Sequence, residues 1–252
     1  MSFDVAAEAY DRFMGRYSRL LAPQLADLAG LEPGDRALDV GCGPGALTGE
    51  LVSRLGAGSV AAVDPSQPFV EAARARHPGV EVHLASAEKL PFEPDAFDAA
   101  FAQLVVHFMA DPVAGLAEMA RVTRPGGLVA ACVWDFAGGG APLSLFWEVA
   151  RELDPGVVDE SHLAGARHGH LPELFAAAGL REVEETSLSI EREHAGFEEW
   201  WEPYTRGVGP AGAYVKTLSS DRQRELRDRC RARLPDGAFV LVSRAWAARG
   251  RA

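Results

Sequence analysis

Three glycines, Gly41, Gly43 and Gly45, stand in the run Leu38-Asp-Val-Gly-Cys-Gly-Pro-Gly45, just after Ala37-Leu-Asp-Val40, which reads as a short buried strand. Glycine tolerates positive φ and lets a ligand approach the backbone where a Cβ would stand in the way, so strand, glycine loop and helix start together form a cradle. About twenty residues later Asp64 ends a second apolar run, where a carboxylate can accept hydrogen bonds from both hydroxyls of a ribose. Ala87 and Glu88, then Gln103, then His107 follow at the ends of later apolar runs. Two plainer readings stand beside these: a tight turn without a ligand, and an Asp64 that merely opens the Asp64-Pro65-Ser66-Gln67 turn and caps the next helix. The segment Gly41-Cys-Gly-Pro-Gly-Ala46 also fits G-x-G-x-x-G/A, which admits an NAD(P)-dependent oxidoreductase. Neither Lys89 nor Lys216 follows a tyrosine by four positions, so the common Tyr-Lys pair for hydride transfer is missing and that reading loses ground.

The elements that must position these residues follow from periodicity. After an amphipathic stretch from Ala6 to Ala29, strands are predicted at 37–40, 60–63, 80–84, 97–102 and 128–134, alternating with helices from about 46, 67 and 112. Asp111-Pro112 starts the last of these helices, and Pro125-Gly126-Gly127 reads as a turn. Such β-α-β-α-β order demands parallel pairing with right-handed crossovers, and ligands of open parallel sheets bind beyond the strands' carboxyl ends where strand order reverses. Beyond Trp134, helices are predicted at 143–153 and 171–178 and strands at 180–190 and 239–243. Residues 196–235, rich in aromatics and then arginines, read as a helical insertion before the last strand that covers one end of the sheet.

At 252 residues, with 48% hydrophobic and 24% charged residues, the chain suits one α/β domain: N-terminal helices 1–29, a core of 30–195 and 236–248, and the insertion. The net charge of −11 argues against a nucleic-acid partner, because nonspecific binding of a phosphate backbone needs a positive surface. The arginines from Arg222 to Arg233 are interleaved with Asp221, Glu225 and Asp228, as on a solvated helix. No apolar run is long enough to span a bilayer, and Met1-Ser-Phe-Asp-Val does not read as a signal peptide. Cys42, Cys132 and Cys230 suit reduced thiols in a cytoplasm better than a disulfide framework or zinc site. His162, His168 and His170 with Asp159 and Glu160 match no common ligand spacing, so no metal is expected.

Leu38-Asp-Val-Gly-Cys-Gly-Pro-Gly45, Asp64, Ala85-Ser-Ala-Glu-Lys-Leu-Pro-Phe92 and Arg121-Val-Thr-Arg-Pro-Gly-Gly127 together resemble class I S-adenosylmethionine-dependent methyltransferases, close to the ubiquinone and menaquinone biosynthesis branch acting on small molecules. The resemblance is dense over about 37–134. It implies a Rossmann-like, seven-stranded, mostly parallel sheet with helices on both faces and the last strand antiparallel, with S-adenosylmethionine as cofactor and S-adenosylhomocysteine as product. By the same resemblance Gly41, Cys42, Gly43 and Gly45 lie against the methionine part and ribose. Asp64, beside Pro65, takes the ribose hydroxyls, and Ser66, Ala87 and Glu88 border the adenine. Gln103 follows the fourth strand near the cofactor's amino-acid end, and Tyr10, Arg16 and Tyr17 belong to a leading helix that approaches its carboxylate. Ser86 departs from the acid that many relatives carry there.

A sulfonium methyl is already activated, so positioning and water exclusion carry most of the expected reaction, with a general base where the nucleophile is weakly acidic. His107 is the candidate base or acceptor contact. Trp134, Phe136, Phe197, Trp200, Trp201 and Tyr204 could line a pocket for an apolar or aromatic small-molecule acceptor. A homodimer is compatible with the sequence, and the alternative class of function is a cofactor-binding regulatory protein without transfer activity.

Overall fold

Consecutive apolar residues in the strands fall on opposite faces of one sheet, and the chain uses both faces. The computed structural model describes residues 7–252. Met1-Ser-Phe-Asp-Val and the expected helix start at Ala6 lie outside the described residues. Seven strands, β1 (Ala37–Val40), β2 (Val60–Asp64), β3 (Glu81–Leu84), β4 (Phe97–Gln103), β5 (Thr123–Trp134), β6 (Arg181–His194) and β7 (Phe239–Arg251), form one sheet in the order β3-β2-β1-β4-β5-β7-β6. Parallel registers join β3, β2, β1, β4 and β5 (Ala37 opposite Val60 and Ala99, Ala99 opposite Leu128), while β7 runs antiparallel to both β5 and β6. The mostly parallel sheet with one antiparallel strand is the fold that the resemblance implied.

Ala37, Ala62, Phe101 and Cys132 pack into one apolar layer and Leu38, Val63, Ala100 and Val133 into the other. The first layer takes α2 (Arg16–Asp27), α3 (Ala46–Leu55) and α4 (Gln67–Arg76); the second takes α5 (Pro112–Val122) and α7 (His170–Ala177). Ahead of α2, α1 (Ala7–Tyr10) continues through a π-helical turn, Asp11–Gly15, so the N-terminal stretch is one rod with a bulge. Asp111 caps α5 by accepting from the Ala114 amide at 3.0 Å, with Pro112 in the first turn. Between β6 and β7 lie α8 (Phe197–Trp201), a 3₁₀ segment (Glu202–Arg206), α9 (Gly209–Thr217) and α10 (Ser220–Arg231), packed on α6 (Ser144–Leu153). Because β6 runs in the direction of β5, this helical insertion leaves the sheet at the carboxyl ends of the parallel strands.

Two strands depart from the sequence expectation. Pro125-Gly126-Gly127 is a bulge inside β5, since Thr123 pairs with Phe97 but Leu128 already pairs with Ala99. Its amides and carbonyls meet the chain end: Gly126 N–H donates to Ala252, and Ala252 N–H to Gly127. The last strand continues to Arg251 because its charges find partners across the ladder, Arg249 on Glu184 and Arg251 on Glu182, while Ala245, Ala247 and Ala248 face inward. On α10 the arginines pair locally, as Arg222 and Arg229 do with Glu225.

Candidate functional site

Strand order reverses between β1 and β4, and the loops beyond their carboxyl ends open onto a crevice of about 450 Å³. The loop after β1 is held by two amides, Gly41 and Cys42, which donate to the Val63 carbonyl at 2.8 and 2.9 Å. Gly41 has φ +71° and a Cβ there would stand 2.5 Å from Val105, so this glycine is required by packing as well as conformation. At Gly43, φ +53°, the nearest atom to an added Cβ would be Tyr10 Cε1 at 3.9 Å, which leaves its backbone open to the crevice.

Asp64 locks this loop to the next one. Its Oδ2 accepts from the Gly43 amide and its Oδ1 from the Ser66 amide, both at 2.8 Å. Burial raises its pKa above the usual carboxylate value, and the two amides oppose that rise. Each oxygen keeps a second lone pair for a ligand donor, so the turn-capping and ligand-binding readings are compatible.

Pro65, Ser66, Ala87, Glu88, Gln103 and Tyr10 also line the crevice. Glu88 Oε1 accepts from the Ala110 amide at 2.8 Å, tying the loop after β3 to the start of α5. Burial works against its ionised form, but the backbone donors prevail and hold its pKa below the ordinary range. Gln103 donates Nε2–H to the Ser18 carbonyl at 3.1 Å, and its buried Oε1 has no partner among the described residues. Asp39, under the glycine loop, accepts from the Thr48 hydroxyl at 2.6 Å through Oδ2 and leaves Oδ1 unpartnered among the described residues; burial pushes its pKa up to about 7.

Four residues expected at the site stand elsewhere. A Cβ at Gly45 would point at the His77 ring, 2.7 Å away, and the Gly45 carbonyl is hydrogen-bonded to His77 Nε2 at 2.9 Å, so this glycine admits α4 to the loop. The Cys42 side chain is buried on the sheet side, its thiol directed to the Gly43 carbonyl at 3.4 Å. Arg16 donates to the Glu199 carbonyl and pairs with the Glu199 carboxylate, and Tyr17 shares a 3.2 Å hydrogen bond with His194. They join α2 to the insertion and to the end of β6, because α2 lies over the sheet with these side chains turned toward α8 and β6.

A smaller cavity of about 30 Å³ adjoins the crevice, sharing Tyr10, Leu104 and Phe108 with it. His107, Trp134 and Phe136 line it, with Val208, Gly209 and Pro210 supplied by the insertion. Phe197, Trp200, Trp201 and Tyr204 do not line it; they are buried in the core of the insertion, where Tyr204 stacks on Phe146 at 4.6 Å. The His107 and Phe108 ring centroids lie 3.9 Å apart, His107 Nδ1 has no partner among the described residues, and burial lowers its pKa to about 3, so the ring is neutral at pH 7.

Two residues in this region carry no sequence signal of their own. Leu104 adopts φ +60°, a strained conformation for a non-glycine, in the turn that leaves β4 between the two cavities. Glu160 is 3% exposed and lines the small cavity, its Oε2 accepting from Trp147 Nε1 at 2.9 Å; burial pushes its pKa up to about 7. The neighbouring acids and histidines scatter: Asp159 pairs with Arg151, and His170 Nδ1 accepts from the Gly165 amide. No helix among the described residues is long and apolar enough to cross a membrane.

Residues 38–131 match the family model of a methyltransferase domain. A demethylmenaquinone methyltransferase of a Mycobacterium species is 39% identical over 134 residues, covering 52% of this chain and 56% of the relative. A malonyl-[acyl-carrier protein] O-methyltransferase of Serratia marcescens is 34% identical over 129 residues, covering 49% of this chain and 50% of the relative, so the matches span about half the length of these curated relatives. Among solved structures, the geranyl diphosphate C-methyltransferase of Streptomyces coelicolor, complexed with S-adenosylhomocysteine, superposes with a TM-score of 0.54 at 16% identity over 92% of this chain and 78% of that one. The matched stretch is the one that builds the crevice, from Leu38 in β1 to Ala131 in β5, so the part of the chain that resembles a methyltransferase domain is the part that forms the site.

Proposed function

We propose that the chain transfers a methyl group from S-adenosylmethionine to a small-molecule acceptor. The observation that carries this reading is the convergence of four loops, after β1, β2, β3 and β4, on one crevice joined to a small aromatic-lined cavity under the insertion. The residues fit the cofactor. Gly43 offers backbone without a Cβ in the way, Asp64 has free lone pairs for ribose hydroxyls, and the orphaned acceptors Asp39 Oδ1 and Gln103 Oε1 suit an ammonium group. The described lining contains Asp64 and Glu88 and no Lys or Arg, which supports a cationic sulfonium cofactor over a dinucleotide pyrophosphate.

When bound, the cofactor supplies a methyl group already activated toward displacement. The chain then has to orient the acceptor and exclude water. Tyr10, Leu104 and Phe108, common to both cavities, stand where acceptor and cofactor would meet, and the insertion closes the far side. Relatives named for demethylmenaquinone and for a malonyl group on a carrier protein support a metabolite-sized acceptor group.

Calorimetric titration with S-adenosylmethionine, S-adenosylhomocysteine and NADH in parallel tests the reading. Binding of the two sulfur compounds alone is expected. NADH binding in their place would return the glycine loop to the dinucleotide class. Binding of the cofactor without methylation of any member of a broad acceptor panel would favour a regulatory protein.

A further inference from the structure

Glu160 is a buried carboxyl with a single hydrogen-bond partner among the described residues, the Trp147 indole, and it lines the small cavity together with Tyr10, Phe13, Phe108, Trp134 and Phe136. A carboxyl lined up with five aromatic rings is expensive to bury unless something offsets it. No Lys or Arg belongs to the described lining, and His107, the other titratable group there besides Tyr10, is neutral, its Nδ1 unpartnered among the described residues. An anionic acceptor head would meet Glu160 with no cation beside it. A cation would gain both the carboxylate and the π systems of the rings.

We infer that the acceptor presents a primary or secondary amine to this pocket, with Glu160 as the group that binds the ammonium and receives its proton. The inference rests on the methyltransferase reading for its chemistry but not for the pocket's charge preference. The volume of about 30 Å³ admits only the head of such a molecule, and the remainder would extend past Leu104 and Phe108 into the crevice. The ammonium passes one proton to Glu160, and the freed nitrogen lone pair forms the new N–C bond as the donor's C–S bond breaks with its electron pair left on sulfur. Glu160 suits the task, since its pKa near 7 lies close to the working range of a general base, whereas burial makes His107 the weaker base of the two.

Three probes with the same chain and different heads, butylamine, butanol and butyrate, are titrated into ¹⁵N-labelled protein with and without saturating S-adenosylhomocysteine, reading the Trp147 indole resonance. Butylamine is expected to shift that resonance at concentrations roughly tenfold lower than the other two. Glu160→Gln, which can still accept from Trp147 and is checked for an otherwise unchanged spectrum, is expected to abolish the preference. Equal or tighter binding of butanol or butyrate, or a preference that survives in Glu160→Gln, would overturn the inference. Failure of S-adenosylhomocysteine to bind would overturn the cofactor reading, while the amine preference is still read in the free protein.

Discussion

At the residue scale the crevice depends on acids that do two jobs. Asp64 fixes Gly43 and Ser66 by accepting from their amides and presents its remaining lone pairs to the crevice. Asp64→Ala is therefore expected to weaken S-adenosylhomocysteine binding by about 1.5–3 kcal/mol, the scale of lost hydrogen bonds to a charged group, and to lower the melting temperature of the free protein as well. Unchanged affinity by calorimetry would remove Asp64 from the site. Asp39 shows the opposite balance, because it is buried with one oxygen unpartnered and carries a raised pKa. Asp39→Asn keeps an acceptor for Thr48, so the free protein is expected to gain stability at pH 8 while cofactor affinity falls about tenfold. A variant that binds as tightly as the parent would leave the orphaned oxygen without a ligand role. Gly43, Asp64, Ala87, Glu88 and Gln103 were legible in the sequence because each ends a strand or lies within four residues of its carboxyl end, which the topology must bring to one edge. Glu160 and Leu104 were not: one lies in an irregular segment, with its place set by Trp147, and the other shows its strain only in φ.

At the element scale the N-terminal rod connects the glycine loop to the insertion. Asp11, in the π turn, pairs with Arg76 of α4, and Arg76 also donates to the Pro44 carbonyl, so rod, α4 and loop are fastened at one point. Farther along, Arg16 and Tyr17 reach Glu199 and His194. The resemblance implied that Arg16 and Tyr17 approach the cofactor, but a likeness of the leading helix does not say which neighbour its side chains meet, and here they meet Glu199 and His194. A test follows from the observed contacts. Arg16→Ala is expected to leave S-adenosylhomocysteine affinity within about twofold and to cost about 0.5–1 kcal/mol of stability, the range of a partly exposed ion pair. A tenfold loss of affinity in calorimetry would instead return Arg16 to the cofactor. The strand and helix order through β5 was readable from alternation and glycine or proline punctuation. The full length of β7 was not, since its arginines are reconciled with a strand only by Glu182 and Glu184 on β6.

At the scale of the whole molecule, the buried groups under and beside the two cavities set how stability responds to pH. Burial raises Asp39 and Glu160 to about 7, from ordinary values of 3.8 and 4.5. Such groups hold a proton more tightly in the folded chain, so their contribution is complete below about 4 and is lost as pH rises toward 7. Burial, aided for His194 by the nearby Arg16 charge, lowers His107 to about 3 and His194 to about 4, from 6.5. These rings bind a proton more weakly when folded, so their contribution is complete above about 6.5 and is lost as pH falls toward 4. Between about 4.5 and 6.5 the two pairs oppose each other, two protons against two, and the native chain is expected to show a nearly flat urea midpoint. Removing the carboxyl pair exposes the histidine pair: in Asp39→Asn/Glu160→Gln the midpoint is expected to rise with pH over that interval, with a slope bounded by about 2.7 kcal/mol per pH unit for two protons. Surface acids whose pKa values are lowered, Asp98 beside Arg36 and Arg124 and Glu118 beside Arg121, lose their contribution only below this window and so do not blur it. A double variant as flat as the parent would show that His107 and His194 titrate normally in the folded chain, and with them the polarity assigned to the small cavity would have to be redrawn.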